Sequence, residues 1–133
     1  MSALSRQKGR RWELEVSRLL APVFPLARPN LAQSRGTRVD GPDILGVPLW
    51  IECYHGKANA IAVKWRQAQR DAAASASVPK LAPVVIAKRD RQEAVVLMWA
   101  HTLGVTHVPL DEPVPVMIDL ASWLRLLAHR RGA

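Results

Sequence analysis

Cysteine is almost missing from this chain: Cys53 stands alone among 133 residues. No intrachain disulfide can form, and a thiolate zinc site lacks its other ligands. Aromatic residues other than tryptophan are nearly as scarce, with Phe24 and Tyr54 as the single examples of their kind. Base stacking across an open sheet face, as the common RNA-binding modules practise it, therefore finds no support. Long apolar runs are missing too. No stretch approaches the roughly 20 residues that a helix needs to cross a bilayer, and the basic N-terminal segment is not followed by a signal-type apolar region. The expected location is the cytoplasm, with no membrane partner. Acidic residues are also few, 11 against 19 lysines and arginines, for a formal net charge of +8. Such a balance favours a polyanionic partner through counterion release, and nucleic acid is the expected one.

The length is that of one domain with a single core. Against the basic background, two acids interrupt apolar runs. Between Val39 and Cys53, Asp43 opens one strand-like run and Glu52, nine residues on, closes the next, with Gly46-Val47-Pro48 as a turn between them. A hairpin there brings both carboxylates to one end of a sheet. A buried carboxylate is costly unless it is paired, protonated or metal-bound. Hard oxygen donors of this kind suit Mg²⁺ or Mn²⁺.

Helical periodicity flanks the hairpin. Trp12, Val16, Leu19 and Leu20 predict a first helix from about Lys8 to Leu20, stopped by Pro22. Glu13 lies near its apolar stripe, whereas Glu15 competes from the face of Trp12 and Leu19, and either one also reads as a solvated partner for Arg11 or Arg18. Ile61, Trp65, Ala68 and Ala72 predict a second helix over about 61–76, with Lys64 and Gln67 beside its stripe. Segment 33–38 reads as an irregular strand with an exposed basic loop, where Arg35 and Arg38 have the fork geometry for phosphate. Pro83–Ala87 and Ala94–Met98 form a further hairpin with a charged tip, 99–118 is a variable connection, and Asp119 caps a last helix of about 119–130 carrying Leu120, Trp123, Leu124 and Leu127. Tryptophans 12, 50, 65 and 123 are expected in the core, and Trp99 there or at a dimer surface. Cys53 should face away from Glu52, into the core, and His55 has no partner at a recognisable spacing.

The order Pro42-Asp43, then Trp50-Ile51-Glu52, resembles the PD-(D/E)xK nuclease superfamily, in which an aspartate and a later (Asp/Glu)-x-Lys lie on a hairpin flanked by helices. Lys8-Gly9-Arg10-Arg11-Trp12-Glu13 resembles the opening helix of the Holliday-junction resolvase branch of archaea and phages, and Lys64-Trp65-Arg66-Gln67-Ala68 resembles the helix motif after the hairpin in small phage-type members. The likeness spans about residues 5–98. It implies an α/β fold with a restriction-endonuclease-like core, a central mixed sheet flanked by helices. It further implies Mg²⁺ or Mn²⁺ held by Glu13, Asp43 and Glu52, a branched or duplex DNA substrate, a prokaryotic or phage-host cytosol and, for two-fold junction cleavage in recombination, a homodimer. Lys8, Arg10, Arg11, Arg35, Arg38 and Lys64 then contact DNA.

The chain departs from that pattern at Tyr54, where the motif has lysine. A phenol with its pKa near 10 supplies no fixed cation. Lys57, nearest in sequence, is the first expected substitute and Lys64 the second, with Gln67 holding a water or phosphate. Two other readings stay open: a nuclease fold that binds branched or duplex DNA without cutting it, and a small basic RNA-binding or assembly protein in which Asp43 and Glu52 merely pair with arginines.

Overall fold

The computed structural model describes residues 3–31, 41–109 and 111–132. Its elements follow the chain as α1 (Ala3–Leu20), β1 (Arg28–Pro29), β2 (Ile44–Leu45), β3 (Trp50–Gly56), a 3₁₀ turn at Ala58–Ala60, α2 (Ile61–Ala74), β4 (Pro83–Arg89), β5 (Val95–Trp99), α3 (Ala100–Leu103), β6 (Pro115–Asp119) and α4 (Leu120–Gly132). The architecture is α/β: a mixed six-stranded sheet in the order β1-β2-β3-β4-β5-β6, antiparallel except for the parallel β3–β4 pair. A parallel neighbour needs a crossover, and α2 provides it.

The pleat of β4 shows how helices cover both faces. Val84 and Ile86 pack with Trp12, Val16 and Leu20 of α1 and with Leu120 and Trp123 of α4, whereas Val85 and Ala87 pack with Ile61, Trp65 and Ala68 of α2. Successive side chains of a strand point to opposite faces, so a strand covered on both sides reads as one apolar run. The Trp12 indole N–H donates to the Ile86 carbonyl at 3.0 Å, which fixes α1 over the centre of the sheet.

Both expected hairpins are present. Ile44 pairs with Ile51, and Val84–Ala87 pair with Val95–Met98. The first hairpin depends on Gly46, whose φ is +81° and whose missing Cβ would lie 2.0 Å from the Leu26 carbonyl oxygen. Asp119 Oδ2 accepts from the Ser122 N–H at 2.9 Å, the expected cap of α4.

Several bounds differ from expectation, most of them by a residue or two. The first helix begins at Ala3 instead of Lys8, and the second ends at Ala74 instead of Ala76. Segment 99–118 is more than a connection, because it contains α3 and the strand β6. Pro115 had argued against a strand, but the first residue of an edge strand tolerates a proline, and Val116 and Ile118 turn inward against the core. The strand and loop expected over 33–38, with Arg35 and Arg38, lie outside the described residues. No helix among the described residues is long and apolar enough to cross a membrane.

Candidate active site

The site forms where the sheet stops being paired. Strand β2 is two residues long and meets β3 at Ile44↔Ile51, while β3 runs on to Gly56. Asp43 fills the break. Its N–H donates to Ile51 O at 2.8 Å, its carbonyl accepts from Asn30 N–H at 2.8 Å, and its carboxylate Oδ2 accepts from Cys53 N–H at 2.7 Å. The side chain thus takes the ladder position that a longer β2 would have supplied, and the carboxyl is buried at the strand edge.

Glu52 and Tyr54 share the face of β3 that α2 covers, while Cys53 points to the opposite face and packs against the α1 cluster. The Glu52 carboxyl hydrogen-bonds Asp43, and its Oε1 also accepts from the Trp50 indole N–H at 3.0 Å. Two carboxylates this close cannot both ionise cheaply. Burial, then the charge and hydrogen bond of Asp43, push Glu52 up to about 8, with Asp71 of α2 adding to the effect. Burial also raises Asp43, against the pull of the Cys53 N–H, the Glu52 hydrogen bond and the Lys64 charge. Glu13 reaches the same pair from α1: burial and then Asp43 raise it to about 7, with Arg10 opposing. Glu15 instead stands 3.8 Å from Lys88, so the structure separates the two candidates on this helix.

These carboxyls line a cleft of about 940 Å³ between α1 and α2. Arg6, Lys8 and Arg10 of α1 line it, as do Lys57 and, from α2, Lys64 and Gln67. Arg11 is exposed and is not part of the lining. Lys8 Nζ lies 2.9 Å from Asp90 Oδ1, at the far end of the cleft. The Tyr54 hydroxyl donates to the Lys57 carbonyl at 2.9 Å, its ring folds over Gly56, and Lys64 Nζ sits 6.0 Å from the ring centroid. A Cβ at Gly56 would come within 2.5 Å of that hydroxyl, so the glycine is what lets the ring lie there.

No family model, curated protein or solved structure matches this chain. The chemistry of the site therefore rests on its own geometry.

A hard divalent cation fits that geometry in kind. Asp43 and Glu52 are two close, buried carboxyls whose charges oppose each other, and a cation between them would offset that repulsion. Among the described residues no three His, Cys, Asp or Glu side chains already stand grouped closely enough to hold an ion. The arrangement is a hydrogen-bonded pair with Glu13 coupled to it through space.

Arg6, Asp71 and Trp50 are among the lining residues that escaped the sequence reading. Arg6 shares a face of α1 with Arg10 and Glu13, a signal lost by starting the helix at Lys8. Asp71 follows Lys64 and Gln67 along one face of α2, which the periodicity already offered. Trp50 is buried as expected, yet its indole also serves a carboxylate, which no spacing rule announces. Cys53 is kept neutral, its thiol pushed well up by burial and then by the three carboxyls around it. His55 is pushed down by burial and by Lys8 and Lys88, and packs obliquely on Trp12.

Proposed function

We propose that the protein is a divalent-cation-dependent DNA endonuclease that hydrolyses phosphodiester bonds in the cleft between α1 and α2. The observation that carries this reading is the convergence of Glu13, Asp43 and Glu52, from a helix and a hairpin, inside a cleft walled by arginine and lysine. Acids alone fit many roles, and a basic wall alone fits any polyanion. A cluster of carboxylates facing a groove for phosphates fits metal-assisted phosphodiester hydrolysis. The order of the elements, with an acid on a first helix and two on a hairpin beside a crossover helix, agrees with the PD-(D/E)xK resemblance and its resolvase-like branch.

In this reading Glu13, Asp43 and Glu52 hold Mg²⁺ or Mn²⁺. The ion, when bound, lowers the pKa of water and offsets charge on the scissile phosphate. The chain's own groups do the rest. Arg6, Lys8 and Arg10 hold flanking phosphates along α1. Lys64 supplies the cation that Tyr54 does not, because its charge is felt at Asp43, whereas the charge of Lys57 falls on Asp90. That moves the assignment from Lys57 to Lys64. Gln67, one turn on, orients a water or a phosphate oxygen.

The test is cleavage of labelled four-way junction, duplex and single-stranded DNA in Mg²⁺, Mn²⁺ or chelator. Cutting that requires either metal supports the enzyme, and a preference for the junction supports the resolvase-like substrate. Tight binding without cutting in either metal assigns the cleft to a DNA-binding protein instead.

A further inference from the structure

Glu52 is held at both ends of its carboxyl environment, by Asp43 on one side and by Trp50 on the other. The second contact is an indole N–H to a carboxyl oxygen, charge-assisted once Glu52 ionises. Trp50 is 3 % exposed, and its main-chain N–H donates to the Ala82 carbonyl at 2.9 Å, so its backbone is tied to the start of β4. Trp50 and Glu52 lie two residues apart on β3, where the pleat turns both toward the α2 face. The indole N–H then reaches Glu52 Oε1 at 3.0 Å, within the cleft rather than behind it. Indole nitrogen is a donor and never an acceptor. It therefore commits Oε1 to accepting, and it stops the carboxyl from turning about its terminal bond.

We infer that Trp50 is a positioning residue of the site, its indole N–H fixing Glu52 in the orientation in which that carboxyl meets a divalent cation. The inference rests on the metal-dependent reading of the cleft. A partner that holds a ligating carboxylate belongs to the shell of groups whose loss costs roughly 10- to 100-fold in metal affinity. Phenylalanine keeps most of the ring's volume and loses the N–H, so Trp50→Phe isolates the hydrogen bond from the packing.

The experiment is calorimetric titration with Mn²⁺ of wild type, Trp50→Phe, Glu52→Ala and the double variant. The expected result is a loss of about tenfold in affinity for Trp50→Phe, and no further loss when the change is made in the Glu52→Ala background, which has no side-chain acceptor for the indole. Equal affinity for wild type and Trp50→Phe, or equal losses in both backgrounds, overturns the inference while leaving the metal site standing. A wild type that binds no Mn²⁺ overturns the metal site and this inference with it. Should Trp50→Phe fail to fold, Glu52→Ala leaves the tryptophan in place. One of the five indole N–H resonances should then move upfield in the ¹H–¹⁵N spectrum, and a spectrum in which none moves overturns the contact.

Discussion

At the scale of the residue, the buried acids set how the protein responds to pH. Burial and mutual repulsion raise Glu13 to about 7 and Glu52 to about 8, above the ordinary value near 4.3 for an unfolded chain. A raised carboxyl favours folding fully while both states are protonated, and the benefit is lost as pH climbs through the folded pKa. Stability of the metal-free protein should therefore fall between about pH 5 and pH 8, by roughly 5–10 °C in thermal midpoint. Asp43→Asn should flatten that decline, since an amide oxygen still accepts from the Cys53 N–H and carries no charge. Added Mn²⁺ should raise the midpoint at pH 8 far more than at pH 5, because ligating carboxyls must first lose their protons. Scanning calorimetry at both pH values, with and without the ion, checks all three. The identities of these acids were legible in the sequence because each sits in or beside an apolar run. Their coupling was not, since it depends on Asp43 replacing a ladder partner at the end of a two-residue strand.

At the scale of the element, helix α2 and the β2–β3 turn make separate demands. Lys64, Gln67 and Asp71 of α2 line the cleft, and in the proposed reaction Lys64 supplies the cation missing from β3. Lys64→Ala should lower cleavage by about 10²–10³-fold, and Lys57→Ala by only a few-fold, in single-turnover assays. Tyr54→Lys placed on top of Lys64→Ala should recover a large part of the loss, because position 54 shares the face of Glu52. The turn acts first on stability. Gly46→Ala adds a Cβ where the backbone is left-handed and the Leu26 carbonyl stands 2.0 Å away. It should cost about 2–4 kcal/mol, read from urea unfolding, and should loosen Asp43 with it. Periodicity revealed α1, α2, α4 and both hairpins, since each has one apolar stripe or a doubly covered run. It missed α3, which is a single turn of four residues, and β6, which opens on Pro115 and pairs with β5.

At the scale of the molecule, the proposed function assigns the choice of partner to charge and the chemistry to the carboxyls. Five cations line the cleft, from Arg6, Lys8, Arg10, Lys57 and Lys64. If all meet phosphate, the logarithm of affinity for duplex DNA should fall with log salt at a slope near −4.5. Lys8→Ala should weaken binding to every sequence and reduce that slope by about 1, as fluorescence anisotropy at graded salt would register. The excess of basic residues pointed to a polyanion from composition alone. That the basic wall and the acids face one groove is a property of the fold, because it takes a parallel crossover to bring α2 opposite α1. The most direct test of this account places wild type beside Glu13→Gln, Asp43→Asn and Glu52→Gln, measuring Mn²⁺-dependent cleavage and DNA binding on the same samples. The account predicts that each variant binds DNA within a few-fold of wild type and cuts it at least 100-fold more slowly. Variants that cut as fast as wild type would contradict it.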